Sequence, residues 1–361
     1  MVAHTEIVDI RQVSAHALEP LLIEETAEFA HELDWDFSPS AALVRKVAAQ
    51  GGLGGAALLD EAGEVVGYSY AVIEDRKAIV WDVYVRAAWR AGNAEAQLFL
   101  ALLRALIENS GARRVESQLM LMGAESVEAL RLSGQVRLFE RVLMRLDAPG
   151  PLEPGNASTR LRFTVESWDD GWLDSAARVV CAAYAGHGDC RFDDQYSTFA
   201  GARRWLWNLI EFSGCVKFCS AASYVAFDVA TGGPAGISLG SFVADEVGHI
   251  AQICVMVDAR GAGLGYELLR RSIAGLREAG AKRISLTVTC ANHEAVELYT
   301  RCGFREMRRF YAYLWEAGPV GQISDLPGKV CLEGARADRK SAPPGYLSRS
   351  VTRSVRVKSA R

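Results

Sequence analysis

Two spacings of apolar residues alternate along this chain, and the switches between them lay out its elements. Ile7, Ile10 and Val13 open with an extended stretch. Leu18, Leu21, Leu22, Phe29 and Leu33 then recur every three or four residues, the period of a helix with one buried face. Ser38-Pro39-Ser40 starts a second helix through Leu43, Val44 and Val47, with Ser40 as its expected cap. After the break at residues 51–55, residues 56–59 and 64–73 read as strands joined at Asp60-Glu61-Ala62-Gly63, and residues 78–85 as a third. Leu98, Leu102, Leu103 and Leu106 mark a helix closed at Gly111.

The same order then returns. Leu161, Phe163 and Val165 begin a strand, residues 172–183 a helix, and Phe199, Trp205, Leu206, Leu209 and Ile210 a second helix. Residues 218–228 and 237–244 flank the turn Thr231-Gly232-Gly233-Pro234, and residues 249–257 form the fourth strand. Gly111-Ala112-Arg113-Arg114 recurs as Gly280-Ala281-Lys282-Arg283, and Gly134 recurs as Gly303 at the same offset of 169 residues. Arg90 matches Arg260 after a one-residue gap. A shared offset with a shared element order reads as a tandem duplication. Residues 148–159, with three prolines and two glycines, read as the linker between the copies.

The apolar run at residues 250–257 leads into Arg260-Gly261-Ala262-Gly263-Leu264-Gly265, and then into a helix carrying Leu268, Leu269, Ile273 and Leu276. A glycine-rich turn between strand and helix leaves the first helical N–H groups unpaired, with the positive end of the dipole outward, a setting suited to phosphate. Gly263 and Gly265 lack a Cβ, so a ligand can come close to the backbone. A dinucleotide-binding Gly-x-Gly-x-x-Gly fails at Tyr266, and a Walker loop lacks its lysine. The pattern Arg/Gln-x-x-Gly-x-Gly/Ala is met at Arg260, Gly263 and Gly265. Downstream, Asn292, Ala295, Leu298, Tyr299, Gly303 and Phe304 follow Asn-x-x-Ala-x-x-Leu-Tyr-x-x-x-Gly-Phe.

Together these two signatures resemble those of the GNAT acetyltransferase superfamily, over roughly residues 161–315. The resemblance implies an α/β fold of two tandem GNAT-like domains, each a mixed, mostly antiparallel sheet flanked by helices. Residues 1–147 are expected to be a degenerate copy, residues 160–317 the catalytic one and residues 318–361 a basic tail. It implies acetyl-CoA as cosubstrate, direct attack by an amine, and no metal. The backbone of Arg260, Gly261, Ala262, Gly263, Leu264 and Gly265 would hold the pyrophosphate, with the Arg260 side chain adding charge. Cys254, Val255, Met256 and Val257 would pair with the pantetheine arm and polarise the thioester carbonyl. Tyr299 matches the acid that protonates the departing thiolate, and Asn292 either helps hold the cofactor arm or caps the next helix.

The base has less support. Some family members place a glutamate eleven residues before the loop's Arg/Gln; here that residue is His249, with Glu246 and a water chain as alternatives. Asp193 and Asp194, in the polar segment 187–196, are candidates to bind a cationic amine or to be helix-capping acids on a solvated loop. His187, Asp189 and Asp193 match no standard metal spacing. In the first copy Asn93 and Glu95 replace Gly263 and Gly265, and Leu130 replaces Tyr299. That loop would present a side chain and a carboxylate to any phosphate, so the first copy reads as structural or substrate-shaping.

At 361 residues the chain is long enough for two domains. A net charge of −4 gives no basic field that would point to nucleic acid, except through the Arg- and Lys-rich tail. The eight cysteines show no paired metal spacing, and no apolar run is long enough to span a bilayer. Cytoplasmic residence is the expectation; oligomeric state and acceptor are not legible. The rival from another functional class is a non-catalytic acetyl-CoA-binding regulator.

Overall fold

The computed structural model describes residues 5–211 and 216–318. Most of the basic tail, with Cys215 and Cys331, lies outside these residues. The first half runs β1 (Glu6–Asp9), α1 (Glu19–Leu33), α2 (Ser38–Ala49), β2 (Gly55–Leu59), β3 (Val65–Glu74), β4 (Lys77–Val85), α3 (Ala94–Ser110), β5 (Arg114–Leu119), α4 (Ala124–Ser133) and β6 (Arg137–Asp147). After the short helix α5 (Ala157–Arg162), the order repeats. It runs β7 (Phe163–Ser167), α6 (Leu173–Tyr184), α7 (Phe199–Glu211), β8 (Lys217–Asp228), β9 (Pro234–Ala244), β10 (Val247–Val255), α8 (Leu264–Glu278), β11 (Arg283–Thr289), α9 (His293–Arg301) and β12 (Arg305–Glu316).

The two halves share one sheet, in the order β1-β2-β3-β4-β5-β12-β6-β11-β10-β9-β8-β7. They meet by exchanging their last strands. β12 pairs antiparallel with β5, β6 pairs antiparallel with β11, and β6 and β12 pair with each other. Each exchanged strand satisfies a ladder edge that would otherwise be open. The boundary at residue 147 therefore separates the repeats along the chain while the sheet runs through it.

Alternation along the central strands assigns the two faces. Leu138 packs with the α3 and α4 core, and Val142, Met144 and Leu146 pack with the α8 and α9 core, all on one face. Phe139 and Leu143 face the other side, toward Phe192 and Leu33. That second face carries α1 and α2 on the first half and α6 and α7 on the second. α8 lies unusually close to β8: a Cβ on Gly275 would sit 2.7 Å from the Ala221 carbonyl oxygen.

The hairpin loops are exchanged as well. Trp35, after α1, packs against His249 of β10 with ring centres 5.2 Å apart and the rings tilted by 55°, and the Asp36 N–H donates to the Val243 carbonyl. In return, Asp194, between α6 and α7, is ion-paired with Lys77 of β4.

Two local expectations change. Ser40 lies inside the first turn of α2; Asp36 instead accepts from the Ser38 N–H at 2.9 Å, and Pro39 fixes the helical φ. The expected strand at Leu161 begins at Phe163, because residues 157–162 coil into α5 and leave Leu161 80% exposed.

The strand exchange predicts how the halves hold together. A protease site placed after Gly150, where the chain is exposed, should be cut without separating the fragments on gel filtration. Two independently eluting halves would contradict the shared sheet.

Candidate functional site

The site begins where β10 leaves β11. Their parallel register runs from Val247–Arg283 to Ile250–Leu286 and stops. Opposite β9, Ile250 faces Gly240 and Gln252 faces Leu239, so Ala251 is an extra residue. This bulge turns β10 away from β11 and places Gln252 and Cys254 on the face already occupied by His249. Beyond Ile250 the β11-facing edge of β10 has no strand partner, and the Ile253 N–H on it donates to Gln252 Oε1 at 3.2 Å.

The glycine loop follows. Gly261 and Gly263 have φ of +71° and +79°, a region that L side chains rarely enter. Among the described residues, the N–H groups of Gly261 to Gly265 have no acceptor; the first closed bond is Glu267 N–H to the Gly263 carbonyl. Gly261 and Gly263 are exposed. α5 braces the loop from behind, with the Thr159 hydroxyl donating to the Ala262 carbonyl at 2.7 Å. A groove of about 320 Å³ beside it is lined by Gly155, Asn156, Gly263, Tyr266, Leu298 and Arg301, among others. A Cβ on Gly265 would meet nothing closer than 3.8 Å. The bare backbone there leaves space that the folded protein does not fill.

Arg260 departs from the expected role. Its guanidinium turns inward, to the Ala183 carbonyl at 2.9 Å and the Val255 carbonyl at 3.4 Å, so it clamps α6 to β10. Arg90 makes the corresponding bond to the Val85 carbonyl. Asn292 caps α9, accepting from the Ala295 N–H at 3.3 Å.

Tyr299 is 7% exposed on α9, packed near Phe304, and its hydroxyl has no hydrogen-bond partner among the described residues. Burial first, and then the neighbouring Cys254 and Asp189, raise its pKa. The phenol therefore stays protonated and able to donate. Burial pushes the Cys254 thiol up to about 12, which suits a packing residue and not a nucleophile.

His249 does not fit the base role. Its Nδ1 lies 2.9 Å from the Ser285 hydroxyl, Trp35 packs against the ring, and burial, aided by Arg141, lowers its pKa to about 4. The ring is neutral, weakly basic and covered. Glu246 lies at the far end of β10, paired with Lys282 at 2.7 Å.

Asp193 and Asp194 are also committed elsewhere. Asp193 is 7% exposed and accepts from the Gln195 N–H, and burial raises its pKa. Asp194 holds Lys77 and lies 3.5 Å from Arg114. Asp193 fixes the turn of its own segment, and Asp194 fixes that segment against the first half. Among the described residues no group of three His, Cys, Asp or Glu side chains could hold a metal.

Other residues gather at the open end of the two strands. Asp189, 8% exposed, accepts from the Thr289 hydroxyl at 2.8 Å. The Tyr184 hydroxyl donates to Gln252 Oε1 at 3.1 Å, while Gln252 Nε2 is buried with no partner. Gln252 had a sequence signal, since it is the one polar residue in an apolar run. Asp189 and Tyr184 had none that separated them from an ordinary loop and helix.

The first half keeps the geometry and fills it. β4 has the same bulge, at Trp81, and pairs with β5 only as far as Val80–Ser117. Glu95 turns inward instead of facing a ligand. It accepts from the Gly123 N–H at 2.9 Å and lies 3.5 Å from Arg90, bridging α3 to the β5–α4 connection. Arg90 is held in turn by Glu28 in a bidentate pair. Behind this staple, Glu25 is fully buried against Asp82 and the Tyr68 hydroxyl. Burial and then Asp82 raise the Glu25 pKa well above the usual carboxylate range.

Comparison with known proteins finds a family model over part of this chain. Residues 186–304 match the model described as the acetyltransferase (GNAT) family. An N-alpha-acetyltransferase MAK3 from Arabidopsis thaliana is 36% identical over 66 residues, 18% of this chain and 35% of that protein. The matched stretch spans 35–44% of the curated relatives' lengths. A GCN5-related N-acetyltransferase structure from Sphaerobacter thermophilus aligns over 86% of this chain and 95% of its own, with a TM-score of 0.61 at 18% identity. A tandem GNAT protein from the clavulanic acid biosynthesis pathway aligns over 88% and 100%, with a TM-score of 0.53 at 14% identity. At these identities the structural likeness is one of fold.

Two predictions follow from the buried acids and the covered histidine. A carboxyl whose native pKa is raised favours folding at low pH, and that contribution is lost as pH climbs from its unfolded value, about 4.3, toward the native one. Glu25→Gln removes this loss, so thermal melts should show its stability relative to wild type growing from pH 4 to pH 8. A pH-independent difference would show that Glu25 is ionised in the fold. His249→Gln should lower the melting temperature and leave the acid limb of the pH–rate profile in place; a displaced limb would return His249 to the chemistry.

Proposed function

We propose that this GNAT-family chain is an acetyl-CoA-dependent N-acetyltransferase whose single active site lies in its second half. The observation that carries the reading is the run formed by the β10 edge, which has no strand partner beyond Ile250, and by the unpaired N–H groups of Gly261–Gly265. Such a run matches an extended amide-bearing arm that ends in a diphosphate. The loop N–H groups donate to the phosphate oxygens, helped by the dipole of α8. The Cys254–Val257 backbone pairs with the pantetheine amides.

The chemistry then falls on the cluster at the open end. The acceptor amine docks against Asp189, which receives its proton as the nitrogen attacks the thioester carbon. The Gln252 amide and the β10 backbone donate to the oxygen that becomes negative. As the tetrahedral intermediate collapses, the C–S bond breaks and the thiolate takes the Tyr299 proton, leaving the N-acetyl product and coenzyme A. No acyl-enzyme is required. An intact, protonated Tyr299 facing the open strands is the feature that favours catalysis over a purely regulatory acetyl-CoA site. The first half contributes walls and positioning and no second cofactor site.

Two substitutions test this. Tyr299→Phe should lower kcat by about 10²-fold, within the range for loss of a general acid, while acetyl-CoA affinity is unchanged in calorimetry. Equal turnover would remove Tyr299 from the mechanism. A Cβ on Gly265 would meet only the Leu298 and Val255 side chains, at 3.8 Å, so Gly265→Val should leave the fold in place, by circular dichroism, while acetyl-CoA binding falls below detection. Retained affinity would move the diphosphate elsewhere.

A further inference from the structure

We propose that the acceptor is a small amine carrying its own carboxylate, an amino acid, and that Arg141 on the exchanged strand β6 binds that carboxylate. The inference rests on the active site proposed above and names its second substrate.

Arg137, Arg141 and Arg145 recur on β6, and two of them are matched by acids. Arg137 pairs with Glu316, and Arg145 with Asp34 and Asp147. Arg141 makes no ion pair among the described residues. Its guanidinium lies 5.3 Å from the Phe192 ring centre and 5.8 Å from that of Phe310, with only the neutral Gln118 and Thr287 side chains as hydrogen-bond partners. Its Nε is buried and unpartnered. The side chain is half-buried, and a planar guanidinium without an anion partner suits a bidentate carboxylate.

Its position ties it to the reacting centre. Arg141 is the cross-strand partner of Thr289, whose hydroxyl donates to Asp189. Its field also reaches Tyr184 and Tyr196. A cation and a carboxylate thus flank one residue at the open end of β10 and β11 without pairing with each other. An amino acid spans such a gap, with its amine toward Asp189 and its carboxylate toward Arg141. The exchange of β6 gives the first half a direct part in substrate choice.

The test uses the full chain, with acetyl-CoA binding measured by calorimetry alongside thiol release. Acceptors are given in matched pairs, each amino acid against its carboxamide and its decarboxylated amine. Wild type should favour the amino acids by about a hundredfold in kcat/KM, in line with the loss of a hydrogen bond to a charged group. Arg141→Gln should remove most of that preference through KM, and Arg141→Lys should restore part of it, with melting curves reporting whether each variant folds. Equal or better turnover of the uncharged partners by wild type overturns the proposal, as does acetyl-CoA binding with no amino acid acetylated. Absence of acetyl-CoA binding instead overturns the active-site reading itself.

Discussion

The parting of β10 from β11 is the constraint on which the rest depends. A backbone edge withdrawn from its ladder must find other partners, because unpaired N–H and C=O groups are costly when shielded from water. The Ala251 bulge imposes the parting, and Gly261 and Gly263 extend the unpaired run into the start of α8. Arg260 keeps the edge rigid by tying β10 to α6. The open groups are thus held in place by a scaffold that closes everywhere else, the arrangement expected of a site preorganised for an extended ligand.

The first half shows the same constraint resolved internally. Its bulge and splay survive, but Glu95 crosses the gap to Gly123, and Arg90 is locked by Glu28. One side chain in the position of a glycine forms a structural joint there. This half meets the other through the exchange of β6 and β12 and through Trp35 and Lys77.

Much of this was legible before the structure. Apolar spacing located most elements, the offset of 169 residues exposed the duplication, and the glycine loop lay where strand became helix. Features created by the meeting of distant segments were not legible. Nothing local marks β6 as a strand of the other half's sheet, so nothing in the sequence singles out Arg141. His249 occupied a catalytic-looking position, but Trp35, more than two hundred residues away in sequence, covers it. Asp193 and Asp194 looked available because their partners, Gln195 aside, come from β4 and β5. Arg260 looked like a phosphate ligand because charge shows in a sequence and direction does not.

Hydrogen–deuterium exchange with and without acetyl-CoA tests the central claim most directly. The account predicts slowed exchange at residues 252–257 and 261–266 on adding acetyl-CoA, and no change at their counterparts, residues 82–87 and 91–96. Unaltered exchange at the first pair of segments, or equal protection in both halves, would contradict it.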